Sequence, residues 1–177
     1  MRPTIAKINL TRLNNNISRI KQQIGPNTAL MAIVKANGYG HGGIEIAKHS
    51  LVSGAVSLGV AIPQEGVELR SAGINCDILV LGGISRDEID LSLEYDLSLC
   101  IYSIGTATLI NQRARQKNKK VKIHIKIDTG MGRIGVRGSN EALNLCKALD
   151  DMDHLIVEGV FTHLACSDEL DSDYSRG

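Results

Sequence analysis

The chain has 177 residues, of which 43% are hydrophobic and 22% are charged. This composition excludes disordered and collagen-like classes and predicts a soluble globular protein with a hydrophobic core. With 20 Lys and Arg against 19 Asp and Glu, the net charge of +1 gives no electrostatic basis for binding nucleic acid or an acidic membrane surface, so small solutes are the expected partners.

No targeting or membrane segment is predicted. The N-terminal sequence MRPTIAKINL lacks a long apolar region, and no stretch approaches 18 uncharged apolar residues, so we expect a cytoplasmic protein. The four cysteines stand far apart without a Cys-x-x-Cys pair, so we expect reduced thiols, no disulfide framework and no metal site. They are Cys76, Cys100, Cys146 and Cys166.

Six short apolar runs, bounded by glycine and polar residues, have the length of strands. In chain order they are 28–34, 55–61, 77–83, 97–102, 121–128 and 155–163. Between them, segments such as 11–24 and 139–152 have helical spacing of apolar residues, and 62–73 begins with Pro and Glu and ends with Gly, as helices often do. This alternation predicts right-handed βαβ units, a parallel sheet and an α/β fold.

An open doubly wound sheet and a (β/α) barrel both fit this alternation. Chemically capable residues follow several strands: Lys35 follows the first run, 128–133 follow the fifth, and His163 ends the sixth. Such a wide distribution over strand ends favours the barrel. The sequence GYGHGG (38–43) resembles a dinucleotide fingerprint, but no matching acidic residue follows the next strand, which disfavours that fold.

Lys35 lies where the first apolar run ends. A charged lysine at the edge of a core is costly unless it is solvated, paired or neutralised. Partial burial suits a lysine that acts as an amine nucleophile, whereas a lysine that extends its amine into solvent is only structural. The residues alone leave both interpretations of Lys35 open.

Three motifs together identify a family. They are AIVKANGYGHG (32–42), KIDTGMGRIG (126–135) and EGVFTHLACSDE (158–169). In this order and spacing they resemble the alanine racemases that use pyridoxal 5′-phosphate (PLP), and the resemblance runs from RPTIAKINL to about residue 170. It implies a PLP-binding (β/α)₈ barrel followed by a mainly β domain. We therefore assign residues 1–10 to a leading strand of that β domain and residues 11–177 to a partial barrel domain.

The resemblance also implies roles for site residues. Lys35 would hold PLP as a Schiff base and act as a base at the substrate Cα. Tyr39 would bond the cofactor phosphate, and Arg133 would contact the phenolic oxygen of the cofactor and the substrate carboxylate. His163 would support the pyridine ring, and Lys126 occupies a position that is carbamylated in many family members.

Without the resemblance, the same residues have plainer interpretations. Tyr39 could be a packing residue, Arg133 a solvated surface residue and His163 a satisfied core residue. Lys126 could be an unmodified lysine. Asp128 is expected to shape its turn. Thr129 is expected to shape the same turn. No chemistry is assigned to four of the histidines: His41, His49, His124 and His154.

The length departs from the family pattern. Six strand runs cannot close an eight-stranded barrel, a domain that usually needs about 250 residues. We therefore expect a fragment that lacks the last barrel strands and the β domain. In the family that domain brings a tyrosine, the second Cα base, into the site of the partner subunit. The complete protein is expected to be a homodimer, and the fragment alone inactive.

The predicted function is the interconversion of L- and D-alanine, which supplies D-alanine for peptidoglycan. Two alternatives remain open. One is another racemase, or a decarboxylase, on the same barrel. The other is a PLP-carrier barrel without a catalytic second domain, as in the small PLP-homeostasis proteins. The DTGMGRIG form of the fifth-strand motif and the leading RPTIAKINL segment favour the racemase.

Overall fold

The computed structural model describes residues 4–168. These residues divide into two compact units, and the boundary between the units follows Leu79. Each unit alternates helices with strands. None of the helices within residues 4–168 is long and apolar enough to span a membrane.

The first unit begins with a helix and contains the first two strands of the chain and all but the last residue of the third. Its elements are α1 (Leu10–Ile24), β1 (Met31–Ile33), α2 (Lys35–Tyr39), α3 (Gly43–Val52), β2 (Ser57–Val60), α4 (Pro63–Ser71) and β3 (Asp77–Val80), whose last residue passes the boundary. β1 and β2 pair in parallel, with Met31 opposite Ser57 and Ile33 opposite Gly59. Leu58 and Ile78 are fully buried and form part of the core.

Local sequence explains where two of these helices begin. The side chain of Asn9 accepts a hydrogen bond from Arg12 N–H (3.0 Å) and so caps α1. Pro63 occupies the first position of α4, where its missing N–H costs no helical hydrogen bond. The helix predicted at 62–73 is therefore confirmed, and so is the helix at 11–24.

The second unit holds three strands that pair in parallel. Its elements are α5 (Arg86–Glu94), β4 (Ser98–Ile101), α6 (Ile104–Gln116), β5 (Val121–Lys126), α7 (Gly138–Asp150) and β6 (Leu155–Phe161). Leu99 lies opposite Ile123, and Ile123 lies opposite Val157. A register shift between Ile123 and His124 bends the β5–β6 pair.

The strand order in the sheet is β1-β2-β3-β4-β5-β6, which is also the order along the chain. A helix separates each strand from the next, as βαβ units require. Both features confirm the predicted α/β fold with a parallel sheet. Six strands of an eight-stranded architecture make an incomplete barrel, as predicted.

The last strand differs in burial from the strands β2 to β5, whose residues are mostly buried. All four residues of β4 are buried, whereas Val160 in β6 is 63% exposed and Val157 is 48% exposed. Apolar side chains on a strand of a parallel barrel are normally covered on both faces. β6 therefore presents apolar surface to solvent, as the final strand of an incomplete barrel does.

All six predicted runs contain a strand, but the strands are shorter than the runs. β1 has only three residues because the backbone of Val34 (φ −118°, ψ 16°) departs from the extended conformation, although its N–H still donates to Gly59 O on β2 (2.8 Å). Residues 4–9 carry no strand in this structure. No β domain for them to join occurs within residues 4–168, so their assignment to such a domain stays a prediction, as does the boundary at residue 10.

Candidate active site

A left-handed turn follows β1 directly. We call residues 35–40 the lysine turn. Five consecutive residues, Ala36 to Gly40, have φ between 52° and 80°. For Ala36, φ is 52° and ψ is 48°, close to ideal left-handed helix geometry. This conformation costs a non-glycine residue about 1–2 kcal/mol, so the lysine turn is a strained segment.

Hydrogen bonds hold the lysine turn in this conformation. Gly38 N–H donates to Val34 O (2.8 Å), and Gly42 N–H donates to Asn37 O (3.0 Å). The Asn37 side chain accepts from Gly43 N–H (2.7 Å), the first residue of α3. The ring nitrogen Nδ1 of His41 lies 2.9 Å from Gly38 O, so this ring also contacts the backbone of the turn.

The structure brings Lys35 and Tyr39 together on this turn. The Lys35 amine lies 5.9 Å from the centroid of the Tyr39 ring, within the range of a cation–π contact. Lys35 is half-buried, and within residues 4–168 its amine has no hydrogen-bond partner. Tyr39 is 58% exposed, so its ring is not a core residue and its hydroxyl is accessible.

A carboxylate that the sequence analysis did not assign to the site braces the lysine turn. Glu65, in the first turn of α4, accepts from Ala36 N–H (2.6 Å) and from Ala61 N–H (2.7 Å). The sequence marked this glutamate only as a residue typical of a helix start. No local pattern could connect it to Ala36, which lies 29 residues away.

The second unit contains a loop between β5 and α7 that carries the predicted arginine. We call residues 128–137 the arginine loop. It folds back on the end of β5, because Val136 N–H donates to Lys126 O (2.9 Å) and Asp128 N–H donates to Val136 O (2.9 Å). Its three positive-φ residues are all glycine: Gly130, Gly132 and Gly135.

Asp128 organises this loop, as the sequence predicted. One carboxylate oxygen accepts from Gly130 N–H (3.1 Å) and Gly132 N–H (2.9 Å), and the other lies 3.0 Å from Arg137 Nε. The Gly132 N–H is the main cause that holds the pKa of the Asp128 carboxyl below its ordinary value. Asp128 therefore acts as a turn-forming carboxylate.

Arg133 and Lys126 differ sharply in burial. Arg133 is exposed at the tip of the arginine loop, and its guanidinium has no hydrogen-bond partner within residues 4–168. Lys126 is 4% exposed; its amine donates to Ile127 O (3.1 Å) and lies 5.1 Å from the centroid of the Phe161 ring. Burial lowers the pKa of Lys126, and the positive charge of Arg133 lowers it further.

His163 lies two residues after β6 and is exposed. Its neighbour Thr162 connects this segment to the arginine loop, because the hydroxyls of Thr162 and Thr129 lie 2.7 Å apart. The Thr162 hydroxyl also donates to Ile127 O (2.9 Å). Both interpretations of His163, a support of the pyridine ring and a satisfied core residue, stay predictions.

The groups present fit PLP, which carries an aldehyde and a phosphate. The Lys35 amine, which has no hydrogen-bond partner within residues 4–168, suits the aldehyde. The accessible phenol of Tyr39 on its Gly-rich turn suits the phosphate. The guanidinium of Arg133 suits an anionic oxygen. Within the described residues there is no group of three or more His, Cys, Asp or Glu side chains that could hold a metal ion.

Comparisons with known proteins identify the family. Residues 8–177 match the sequence profile described as alanine racemase, N-terminal domain. The chain is 43% identical over 174 residues to the alanine racemase of Desulforamulus reducens, a match that covers 98% of this chain and 47% of that protein.

Solved structures show the same relationship. The match to the alanine racemase from E. faecalis covers 96% of this chain and 46% of that protein's chain, with a TM-score of 0.91 and 35% identity. The match to a histidine racemase from Leuconostoc mesenteroides subsp. sake covers 94% of this chain and 45% of that protein's chain, with a TM-score of 0.88 and 26% identity. The chain thus spans about half the length of the curated relatives it matches.

These matches confirm the predicted family and its (β/α) barrel fold. The predicted cofactor, PLP, is confirmed through the family, because PLP is the cofactor of this family of isomerases. The profile match extends over most of the chain, and its motifs lie on the turn and loops described above. The chain therefore belongs to the alanine racemase family and carries its N-terminal domain.

Proposed function

We propose that this chain is the N-terminal part of a PLP-dependent alanine racemase, in which Lys35 binds the cofactor covalently and serves as the base on one face of the substrate Cα. The observation that carries the proposal is the half-buried Lys35 at the start of the strained lysine turn, whose amine has no hydrogen-bond partner within residues 4–168. When bound, PLP withdraws electrons from Cα and makes its proton removable.

Three further residues would bind and orient. Tyr39 would donate its exposed hydroxyl to the cofactor phosphate. Arg133 would bind the substrate carboxylate and the phenolic oxygen of the cofactor, because its planar guanidinium offers several donors and keeps its charge. His163 would lie against the pyridine ring.

Lys126 would be the residue that becomes carbamylated. Carbamylation joins CO₂ to a neutral amine with loss of a proton, and burial favours the neutral amine of Lys126 by lowering its pKa. The product is an anion and would exchange the repulsion between Lys126 and Arg133 for an attraction. Mass spectrometry of the native protein, with and without bicarbonate, tests this assignment.

Inversion at Cα needs a base on each face, and Lys35 supplies one. We propose that the second base comes from the part of the complete protein beyond this chain, in a homodimer where it reaches the partner's site. In the cell, the complete protein would be a cytoplasmic enzyme that supplies D-alanine for peptidoglycan.

The test is D-alanine formation from L-alanine by the complete, PLP-loaded protein. Residues 1–177 alone should not racemise alanine, although they could exchange its α-proton at the face served by Lys35. Lys35→Ala is the control, both in the complete protein and in residues 1–177. Turnover by residues 1–177 near the rate of the complete protein, lost in Lys35→Ala, would show that the second base lies within this chain.

Another amino-acid racemase is the second candidate. It is supported by the histidine racemase whose structure matches with a TM-score of 0.88. A panel of L-amino acids that includes histidine and alanine separates the two. The 43% identity to an alanine racemase, against 26% to the histidine racemase, favours alanine and also favours a racemase over a PLP-carrier protein.

A further inference from the structure

We propose that Glu65 is a positioning residue for Lys35: its carboxylate holds the lysine turn in the conformation that presents the amine to PLP. This inference depends on the proposed function, since it deepens the account of the same site. Glu65 does not touch the reacting atoms. It acts through the backbone of Ala36, the residue directly after Lys35.

The geometry is that of a two-point brace. One carboxylate oxygen accepts from Ala36 N–H at 2.6 Å and the other from Ala61 N–H at 2.7 Å. Ala36 is the second residue of the lysine turn, and Ala61 directly follows β2. Charge-assisted hydrogen bonds of this length are among the stronger ones in proteins. The brace therefore ties the turn after β1 to the end of the neighbouring strand.

The bond to Ala36 fixes the peptide plane that joins Lys35 to Ala36. That plane sets the direction in which the Lys35 Cα and side chain leave the strand. The residues after it, Ala36, Asn37 and Tyr39, have left-handed dihedrals that their side chains disfavour. A strained turn persists only where surrounding contacts over-determine it, and Glu65 supplies such a contact from α4.

A carboxylate is the appropriate group for this position. It presents two acceptor oxygens to two N–H donors, and it has no donor of its own. In Glu65→Gln, one oxygen becomes an NH₂ group that faces an N–H, so one of the two bonds must be lost. Aspartate keeps the charge but is one methylene shorter and cannot span both donors.

The competing interpretation is that Glu65 only caps α4 through the local bond to Ala61. A helix cap would affect α4 and the stability of the protein. It would not change the amide hydrogen exchange of the lysine turn or the rate at which Lys35 reacts with PLP. Glu68 provides a matched control, because it is an exposed carboxylate on the same helix. Glu68→Gln removes the same charge at a distance of three residues.

The experiment compares wild type, Glu65→Gln, Glu65→Asp and Glu68→Gln in the complete protein. Amide hydrogen exchange of the apoprotein measures the opening of residues 35–42, with the peptide of β5 as an internal reference. Borohydride reduction followed by mass spectrometry measures the rate at which PLP attaches to Lys35. Thermal unfolding separates local effects from loss of fold.

We expect both Glu65 variants to exchange residues 35–42 faster and to trap PLP more slowly, each by roughly tenfold to a hundredfold, the range for a hydrogen bond to a charged group. Glu68→Gln and the β5 peptide should stay at wild-type values. Glu65→Asp keeps the inference testable if Glu65→Gln does not fold.

Trapping and exchange within about twofold of wild type in a folded Glu65 variant, with a change only in α4, would overturn the positioning role and leave the helix cap. Wild-type protein that traps no PLP at Lys35 would instead overturn the proposed function and, with it, the role of Glu65 toward the cofactor. The two failures are thus distinguishable in one set of measurements.

Discussion

The lysine turn and the arginine loop both follow a strand and bend the chain through residues with positive φ. They achieve this differently. The arginine loop places glycine at each positive-φ position, and its organising carboxylate, Asp128, belongs to the loop itself. The lysine turn places Ala36, Asn37 and Tyr39 in the left-handed region.

The source of the bracing carboxylate differs as well. Asp128 lies two and four residues from the N–H groups that it accepts, whereas Glu65 lies 29 residues from Ala36. The arginine loop is therefore a locally encoded structure with little backbone strain. The lysine turn is strained and depends on a helix elsewhere in its unit. Strain held by a distant contact is typical of functional sites, and it occurs here beside the proposed catalytic lysine.

The largest expected effect is that of Lys35→Ala in the complete protein. Without the amine, covalent attachment of PLP is impossible, so the visible absorbance of lysine-bound PLP should be absent after dialysis and racemisation should be lost. The right control is Lys48→Ala, which removes an exposed lysine from α3. Visible absorbance that survives dialysis in Lys35→Ala would place the cofactor lysine elsewhere.

A pair of glycine substitutions tests how the two segments differ in packing. At Gly135, φ is +132° and an added Cβ would lie 2.5 Å from Asp128 N and 2.8 Å from Ile127 C. Gly135→Ala should lower the free energy of unfolding by about 2–4 kcal/mol, from backbone strain and overpacking together.

Gly40 in the lysine turn is the matched position. Its φ is +80°, but nothing lies within 4 Å of an added Cβ. Gly40→Ala should cost only about 1 kcal/mol. Urea unfolding of both variants measures the difference, and equal losses would contradict the close packing assigned to Gly135.

Arg133→Lys sharpens the functional side of the comparison. Lysine keeps the positive charge but loses the planar donor set that binds a carboxylate at two points. We expect racemisation to lose about 1–3 kcal/mol of transition-state stabilisation, while the arginine loop, which is held by Asp128, stays folded. Steady-state kinetics measure the loss. Unchanged kinetics would make Arg133 an ordinary surface residue.

The smallest effect concerns acid. The Asp128 carboxyl has a pKa below its ordinary value of 3.8, because Gly132 and Gly130 donate to the charged form. Its contribution to stability is therefore complete above that value and is lost as the pH falls through the lowered pKa. The amide NMR shifts of Gly130 and Gly132 should titrate together with a midpoint below 3.8. A midpoint at or above that value would contradict the hydrogen bonds assigned to Asp128.

Much of the fold could be predicted from the sequence. Each of the six strands lies in a predicted apolar run, because buried parallel strands need continuous hydrophobic residues bounded by turn formers. The motif around Lys35 and the motif around Arg133 lie at strand ends, as predicted. The strand lengths were less predictable, because β1 ends where the backbone of Val34 turns into the lysine turn, whose conformation depends on tertiary contacts.

Glu65 and Thr162 were not predicted as parts of the site region. Each acts through a contact with a partner distant in sequence: Ala36 for Glu65 and Thr129 for Thr162. A single sequence carries no signal for such pairs.

By itself, the sequence determined the α/β alternation and the family, because these follow from local apolar patterns and from motifs of fixed spacing. The tertiary structure alone decided the left-handed conformation of the lysine turn and the burial of Lys126. Local propensity disfavours positive φ at Ala36 and Tyr39, and it cannot tell a buried lysine from a solvated one. Both outcomes depend on contacts that form only when distant segments pack together: Glu65 against Ala36, and Phe161 against Lys126.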